Sequence, residues 1–289
     1  TRPDKETDRV KQILAVNAQT GPVFTTHKPE QDLSAVTEDI ISGPPEYSVI
    51  AEGEIVHTLW MVSDVAKIAR ITSSFDRLGA IYIADGHHRS AAASRVAAER
   101  RAENPDHNGD EPYNSFLIVS FPKPEVQILD YNRVIKDLNG FSVADLVSRL
   151  GDSFAVEKSA DPVKPGAVRT FGMYVQGQWY RLIDTGVSPE PANPTADLDV
   201  SVLTTRVLSP ILGIEDPRTD SRIDFVGGIR GMRELEKRVN SGDWAVAFSL
   251  YPTSVDQLIA VADANEIMPP KTTWFEPKLA DGIVSLMLD

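Results

Sequence analysis

The sequence predicts an α/β to α+β protein in which mixed sheets are flanked by helices. Three observations carry that prediction. Short β-branched and aromatic runs, such as Phe116-Leu117-Ile118-Val119-Ser120-Phe121, alternate with segments whose apolar residues recur at helical spacing. Residues 171–175 and 178–183, separated by Gln176-Gly177, carry the clearest hairpin signal in the chain. Finally, an apolar run ends abruptly at Asp85-Gly86 and an alanine-rich run follows at once, which reads as a buried strand, a tight turn and a helix opening.

In chain order, Pro3 suits a first helical turn and Asp4 and Glu6 complement its dipole, while Val10, Ile13, Leu14 and Val16 continue at helical spacing. Gly21-Pro22 stops that helix, and residues 23–26 form a short strand with His27 in the loop beyond it. Leu33, Val36, Ile40 and Ile41 mark a second helix closed by Ser42-Gly43-Pro44-Pro45. Residues 47–51 and 55–62 read as a hairpin around Glu52-Gly53-Glu54, with His57 half-buried in its second strand. Ser63-Asp64 precede a helix through Val65, Ile68, Ala69 and Ile71. After the central turn, Ala91, Ala92, Ala93 and Val96 give a helix of small residues, able to lie close to a sheet. Residues 114–122 form an apolar strand, and Pro122-Lys123-Pro124 sets the domain boundary, giving domains 1–122 and 123–289. The second domain reads as a strand over 126–135, a helix around Leu146 and Leu150, the hairpin, an apolar helical segment over 198–214, a strand over 243–251 and a helix over 255–264.

Composition narrows the function classes. The 289 residues can bury a substantial core, and the 42% hydrophobic and 25% charged content is ordinary for a globular protein. No apolar run approaches the roughly 20 residues needed to span a bilayer, so no membrane partner is expected. The absence of cysteine rules out disulfides, thiolate metal sites and cysteine nucleophiles, and a cytoplasmic location is the simplest expectation. A formal net charge of −13 repels phosphate backbones, so nucleic acid is not an expected partner. A small anionic ligand remains compatible, because one pocket can be locally positive inside an acidic protein.

Two concentrations of reactive side chains stand out. The first is Asp85-Gly86-His87-His88-Arg89-Ser90. A helix start leaves backbone N–H groups without intrahelical partners and carries a positive dipole end. Two histidines and an arginine there suit a phosphate or another anion. The bland alternative is a polar loop whose histidines cap the helix. The second concentration runs from Asp216 to Gly231 and contains Gly227, Gly228 and Arg230 ahead of a helix marked by Met232, Leu235 and Val239. It matches neither the P-loop nor the dinucleotide fingerprint, and a close-packed helix entrance explains its glycines equally well.

Five segments together resemble one family. These are Thr1-Arg2-Pro3-Asp4-Lys5-Glu6 with Asp8-Arg9, Asp85-Gly86-His87-His88-Arg89, Phe225-Val226-Gly227-Gly228, and Met268-Pro269-Pro270-Lys271-Thr272-Thr273 with Trp274-Phe275-Glu276-Pro277-Lys278. The set is similar to that of the domain of unknown function 1015 family. Its central turn resembles the signature found in part of the ParB/sulfiredoxin superfamily. The resemblance implies a ParB/sulfiredoxin-like core over 1–122, lacking its N-terminal part, and a second mixed α/β domain. Members of this family extend upstream of the position of Thr1, typically with a His-Glu pair. Asn132-Arg133 departs from a His-Arg pair common at that place.

What the resemblance implies about activity is nucleotide chemistry, since the equivalent turn of sulfiredoxin, ParB and the free-serine kinases holds nucleotide phosphates. Sulfiredoxin's own reaction needs a cysteine in that turn, and this chain has none. The leading expectation is a phosphotransferase that uses ATP or ADP with Mg on a small hydroxylated metabolite, serine foremost. Gly86, His87, His88, Arg89 and Ser90 would hold phosphates, Asp85 would orient a histidine or contact Mg, and Glu6 or a residue upstream of Thr1 would act as base. His57, Arg2, Lys5, Arg9, Gly227, Gly228, Arg230 and Lys271 form a candidate second site. The alternatives are a non-catalytic nucleotide-binding regulator and, last, a metal-dependent nuclease built from His57, Asp85, His87 and His88. The oligomeric state is open.

Overall fold

A computed structural model describes residues 3–186 and 193–289. Its chain divides into two compact units, residues 1–126 with 278–289, and residues 127–277. The terminal segment 278–289 groups with the first unit.

The first unit opens with α1 (Pro3–Val16), which buries Val10 and Ile13. Next come β1 (Ala18–Gln19), β2 (Val23–His27) and α2 (Gln31–Ile41), capped by the Glu30 side chain. β3 (Tyr47–Ile50) and β4 (Val56–Leu59) pair as the expected antiparallel hairpin, with Val49 opposite His57. α3 (Val65–Arg77) starts at Asp64, whose carboxylate accepts from the amides of Ala66 and Lys67. β5 (Tyr82–Asp85), α4 (His87–Glu103) and β6 (Ile118–Pro122) complete this part. The sheet runs β5-β2-β6, with β2 antiparallel to β5 and parallel to β6. α1 and α4 share a core of Val10, Ile13, Ala92, Val96, Tyr113 and Leu288, so the small residues of α4 do permit close packing.

Three local expectations change here. β5 lies at a sheet edge, with Ile83 and the preceding Ile81 at 46% and 40% exposure, and is not the buried strand its apolar run implies. His27 ends a strand instead of sitting in a loop. It is buried, and its Nδ1 lies 2.8 Å from the Ser120 hydroxyl. The strand expected over 114–122 begins only at Ile118, because Pro112 opens a 3₁₀ turn that carries the chain to Asn114.

The second unit contains β7 (Gln127–Leu129), β8 (Tyr131–Ile135), α5 (Val143–Leu150), β9 (Phe154–Ser159), β10 (Thr170–Val175), β11 (Gln178–Asp184), α6 (Asp199–Leu203), β12 (Ile223–Gly227), α7 (Met232–Asn240), β13 (Val246–Ser249), α8 (Val255–Asp263) and β14 (Trp274–Glu276). Six strands form one sheet in the order β12-β8-β13-β10-β11-β9, and every pairing in it is antiparallel. Strand alternation sorts neighbours to opposite faces. Ile135, Met173 and Phe248 join the cluster containing Leu146, Leu150 and Leu203, whereas Val134, Tyr174 and Ala247 join that of Leu235 and Val239. Gln176 and Gly177 both take positive φ, the geometry a two-residue hairpin loop requires. β9 had no sequence expectation. Its burial pattern offers little alternation to read, and it is placed by pairing along β11. The single strand expected over 126–135 is two, broken at Asp130. The helical segment over 198–214 shortens to α6 and a π-helical turn at Thr204–Leu208. β15 (Leu286–Met287) returns to pair with β1 in the first unit.

Candidate functional site

The Asp85–Ser90 turn in the first unit is built by backbone geometry first. Edge strand β5 ends at Asp85, and Gly86 adopts φ 91° and ψ 23°, a left-handed conformation that side chains resist. A Cβ on Gly86 would also stand 3.3 Å from the Cα of Val23 on β2. The chain thus turns straight into α4, a helix of 17 residues, with His87 and His88 in its first turn and no side-chain cap. The amides of Arg89 and Ser90 both donate to the Gly86 carbonyl, and the Ser90 hydroxyl donates to the His87 carbonyl.

Side chains divide between open and committed roles. Asp85 and His87 are exposed, while His88, Arg89 and Ser90 are half-buried. One Asp85 oxygen accepts from the Gly86 amide at 2.8 Å, and the other lies 3.9 Å from the Lys278 Nζ. The His87 and His88 rings are 4.2 Å apart between centroids. Burial and then the neighbouring His87 hold the His88 imidazole below its ordinary value, against the pull of Asp4 and Glu6. Asp4 and Glu6 lie on α1, which packs against α4. Glu6 Oε1 is itself 3.0 Å from the Arg95 guanidinium on α4. Arg89 donates to the Pro22 carbonyl at 2.7 Å and pairs with Asp281 at 3.1 Å. With Arg9 and Gly21 it lines a cavity of only about 30 Å³, room for roughly one water.

The other described first-unit candidates lie on α1 and in the β3–β4 hairpin. Arg2 lies outside the described residues. Lys5 is exposed on α1, and Arg9 bonds the Gln12 side chain at 2.7 Å. His57 sits in the separate β3–β4 hairpin. Among the described residues no three His, Asp or Glu side chains gather as a metal ion would require, so the nuclease constellation of His57, Asp85, His87 and His88 is not assembled.

The second-unit candidates belong to a packing nucleus. A Cβ on Gly227 would meet the Trp274 ring at 2.7 Å, and one on Gly228 would meet the Asp130 carboxylate at 2.2 Å. Asp130 is buried, accepts from the Asn132 amide at 2.6 Å, and its carbonyl accepts from the Gly228 amide. Lys271 places its ammonium 5.5 Å from the centre of the Tyr131 ring, and Arg230 lies 3.7 Å from Glu234. The glycine pair thus serves close approach of a ring and a carboxylate, as the helix-entrance reading requires. Sequence reasoning missed Asp281, Arg95 and Asp130, since each meets its partner across a separation no local pattern encodes.

The chain belongs to the family described as protein of unknown function DUF1015, whose model matches residues 1–201. No match was found among curated proteins. Among solved structures, the chain is similar to a free serine kinase in complex with AMP, at 10% identity and a TM-score of 0.39, covering 95% of this chain and 80% of that one. It is also similar to SbnI with C-terminal truncation from Staphylococcus aureus, at 10% identity and a TM-score of 0.47, covering 98% and 79%. A conserved hypothetical protein from Pyrococcus furiosus gives 11% identity and a TM-score of 0.37, covering 96% and 85%.

Proposed function

We propose that this member of the DUF1015 family binds the phosphates of ATP or ADP at the Asp85–Ser90 turn and transfers a phosphoryl group to a small hydroxylated metabolite, serine being the first to test. The observation that carries the reading is the entry to α4, where left-handed Gly86 opens a 17-residue helix directly onto His87 and His88 with no side-chain cap. Backbone amides and the helix dipole favour a dianion there, and an exposed histidine adds a donor. Exposed Asp85 is suited to share Mg with the phosphates, since Mg takes one or two carboxylates and completes its shell with substrate oxygens and water. In the transfer, the acceptor oxygen bonds to phosphorus, the bond to the departing nucleotide oxygen breaks, and the acceptor proton passes to a base. Glu6 on α1, which packs against α4, is the candidate base in the described chain.

One observation favours the non-catalytic reading, in which a nucleotide binds and is not consumed. Glu6 is held by Arg95 and must be released before it takes a proton. Thermal-shift titration with ADP and ATP plus Mg, followed by incubation with serine, separates the two. Nucleotide stabilisation weakened in His87→Ala, with ATP or ADP consumed only when acceptor is present, supports transfer. Stabilisation without consumption supports binding alone. No stabilisation by any nucleotide overturns both.

A further inference from the structure

We propose that a second anion site lies in the other unit, in the cavity beside Arg133, and that it takes the phosphoryl or carboxylate group of a short metabolite. This does not rest on the reading of the Asp85–Ser90 turn. The cavity is about 200 Å³, the space of about seven waters, and Arg133 on β8 lines it together with residues of α6, the π-helical turn and two proline loops.

Arg133 is 3% exposed, yet among the described residues no carboxylate pairs with it. Its guanidinium donates to the carbonyls of Tyr131 and Lys271, the latter at 2.9 Å, and lies 5.1 Å from the centre of the Phe225 ring. Asp130, nearby in sequence, has its carboxylate tied to the Asn132 amide. A guanidinium has five N–H donors, and the two carbonyls engage two of them. Burial depresses the Arg133 pKa to about 10, which still leaves the group charged at neutral pH. Removing a cation from water is costly when only dipoles replace its hydration. An oxyanion entering the cavity supplies the missing counter-charge and the planar acceptor pair that a guanidinium matches.

The other walls define what is attached to that anion. Ser201, Thr204 and Thr205 bring hydroxyls, which now donate to the carbonyls of Thr195, Val200 and Ser201 at 2.6, 2.7 and 2.9 Å. A hydroxyl rotates, so each can redirect its proton to a ligand oxygen. Val200, Pro217, Pro269 and Pro270 are apolar, favouring a ligand with a short carbon skeleton over a fully hydrated ion. The π-helical turn at Thr204–Leu208 widens the helix where two of these hydroxyls sit, a feature frequent at functional sites.

The test titrates the full chain with inorganic phosphate in one arm and succinate in the other, by calorimetry. Thr205 is exposed at the cavity, so Thr205→Trp fills the space without disturbing Arg133 or the core. The expected result is saturable binding of at least one probe, weakened at least about tenfold in Thr205→Trp. Which arm binds tells phosphoryl from carboxylate. Soaking crystals in selenate should place an anomalous peak within hydrogen-bond distance of Arg133. Unchanged affinity in Thr205→Trp, or no saturable binding of either probe, overturns the proposal. Arg133→Met alone would not decide it, because losing the bond to the Lys271 carbonyl can unfold that loop.

Discussion

Arg89 donates to the carbonyl of Pro22 at 2.7 Å, joining the first turn of α4 to the loop that feeds β2. The same guanidinium reaches Asp281 in the terminal segment, so one side chain ties three stretches of the first unit together. Arg89→Ala should cost about 1–2 kcal/mol, because a charged hydrogen bond to a partly buried carbonyl is lost. Asp281→Asn should cost less than about 1 kcal/mol, since that carboxylate is half-exposed and solvent screens the pair. Urea unfolding of both variants checks the order, and equal losses would contradict it.

Gly86→Ala should destabilise the first unit by about 1–2 kcal/mol from the left-handed backbone alone. The added methyl also presses on the Val23 backbone, which cannot swing aside as a flexible side chain would. Nucleotide-induced stabilisation should fall further than that loss accounts for, because the amides shift with the turn. Gly79→Ala serves as the control. It shares the positive φ, with no atom within 4 Å of the added carbon.

His27 and His88 both have imidazoles held below their ordinary value of 6.5, chiefly by burial. The unfolded chain therefore takes up these protons at a higher pH than the folded one, and acid favours unfolding. Their contribution is intact above 6.5 and is lost as pH falls through that value toward the folded pKa, below which it levels off. Measured on either side of that window, the urea midpoint should move further toward instability on acidification in the wild type than in His27→Gln. An equal drop in the variant would remove His27 from the account.

Asp199 should behave oppositely. Burial raises its carboxyl to about 6, against the hydrogen bond from the Arg169 amide and the attraction of Arg169, and Oδ2 has no partner among the described residues. The folded state holds this proton more tightly, so stability is greatest below the ordinary 3.8 and declines as pH rises through about 6. Asp199→Asn keeps the acceptor for the Arg169 amide and should gain up to about 3 kcal/mol at neutral pH, with little change in acid. A variant no more stable than wild type at neutral pH would refute this.

Gly228→Ala should cost about 3 kcal/mol, because a methyl there overlaps a buried carboxylate that is already bonded to Asn132. Gly231→Ala, where the backbone is strained but space is open, should cost less. If the two cost the same, the close approach of Asp130 is not what requires glycine at 228.

Local sequence was enough wherever the interaction that decides structure is itself local. Apolar spacing placed α1, α2, α5 and α8, and the Gln176-Gly177 turn placed the β10–β11 hairpin with its register. The strand–turn–helix at Asp85-Gly86 was legible too, because a left-handed glycine and a helix start are encoded within a few residues. Tertiary structure alone decided what the side chains do there. Arg89 meets Pro22 and Asp281, Glu6 meets Arg95, and Gly228 meets Asp130 across separations that no periodicity records. The same holds for Arg133, an ordinary strand residue by pattern. Its burial, with no carboxylate paired to it among the described residues, exists only once the sheet, α6 and the proline loops are packed around it.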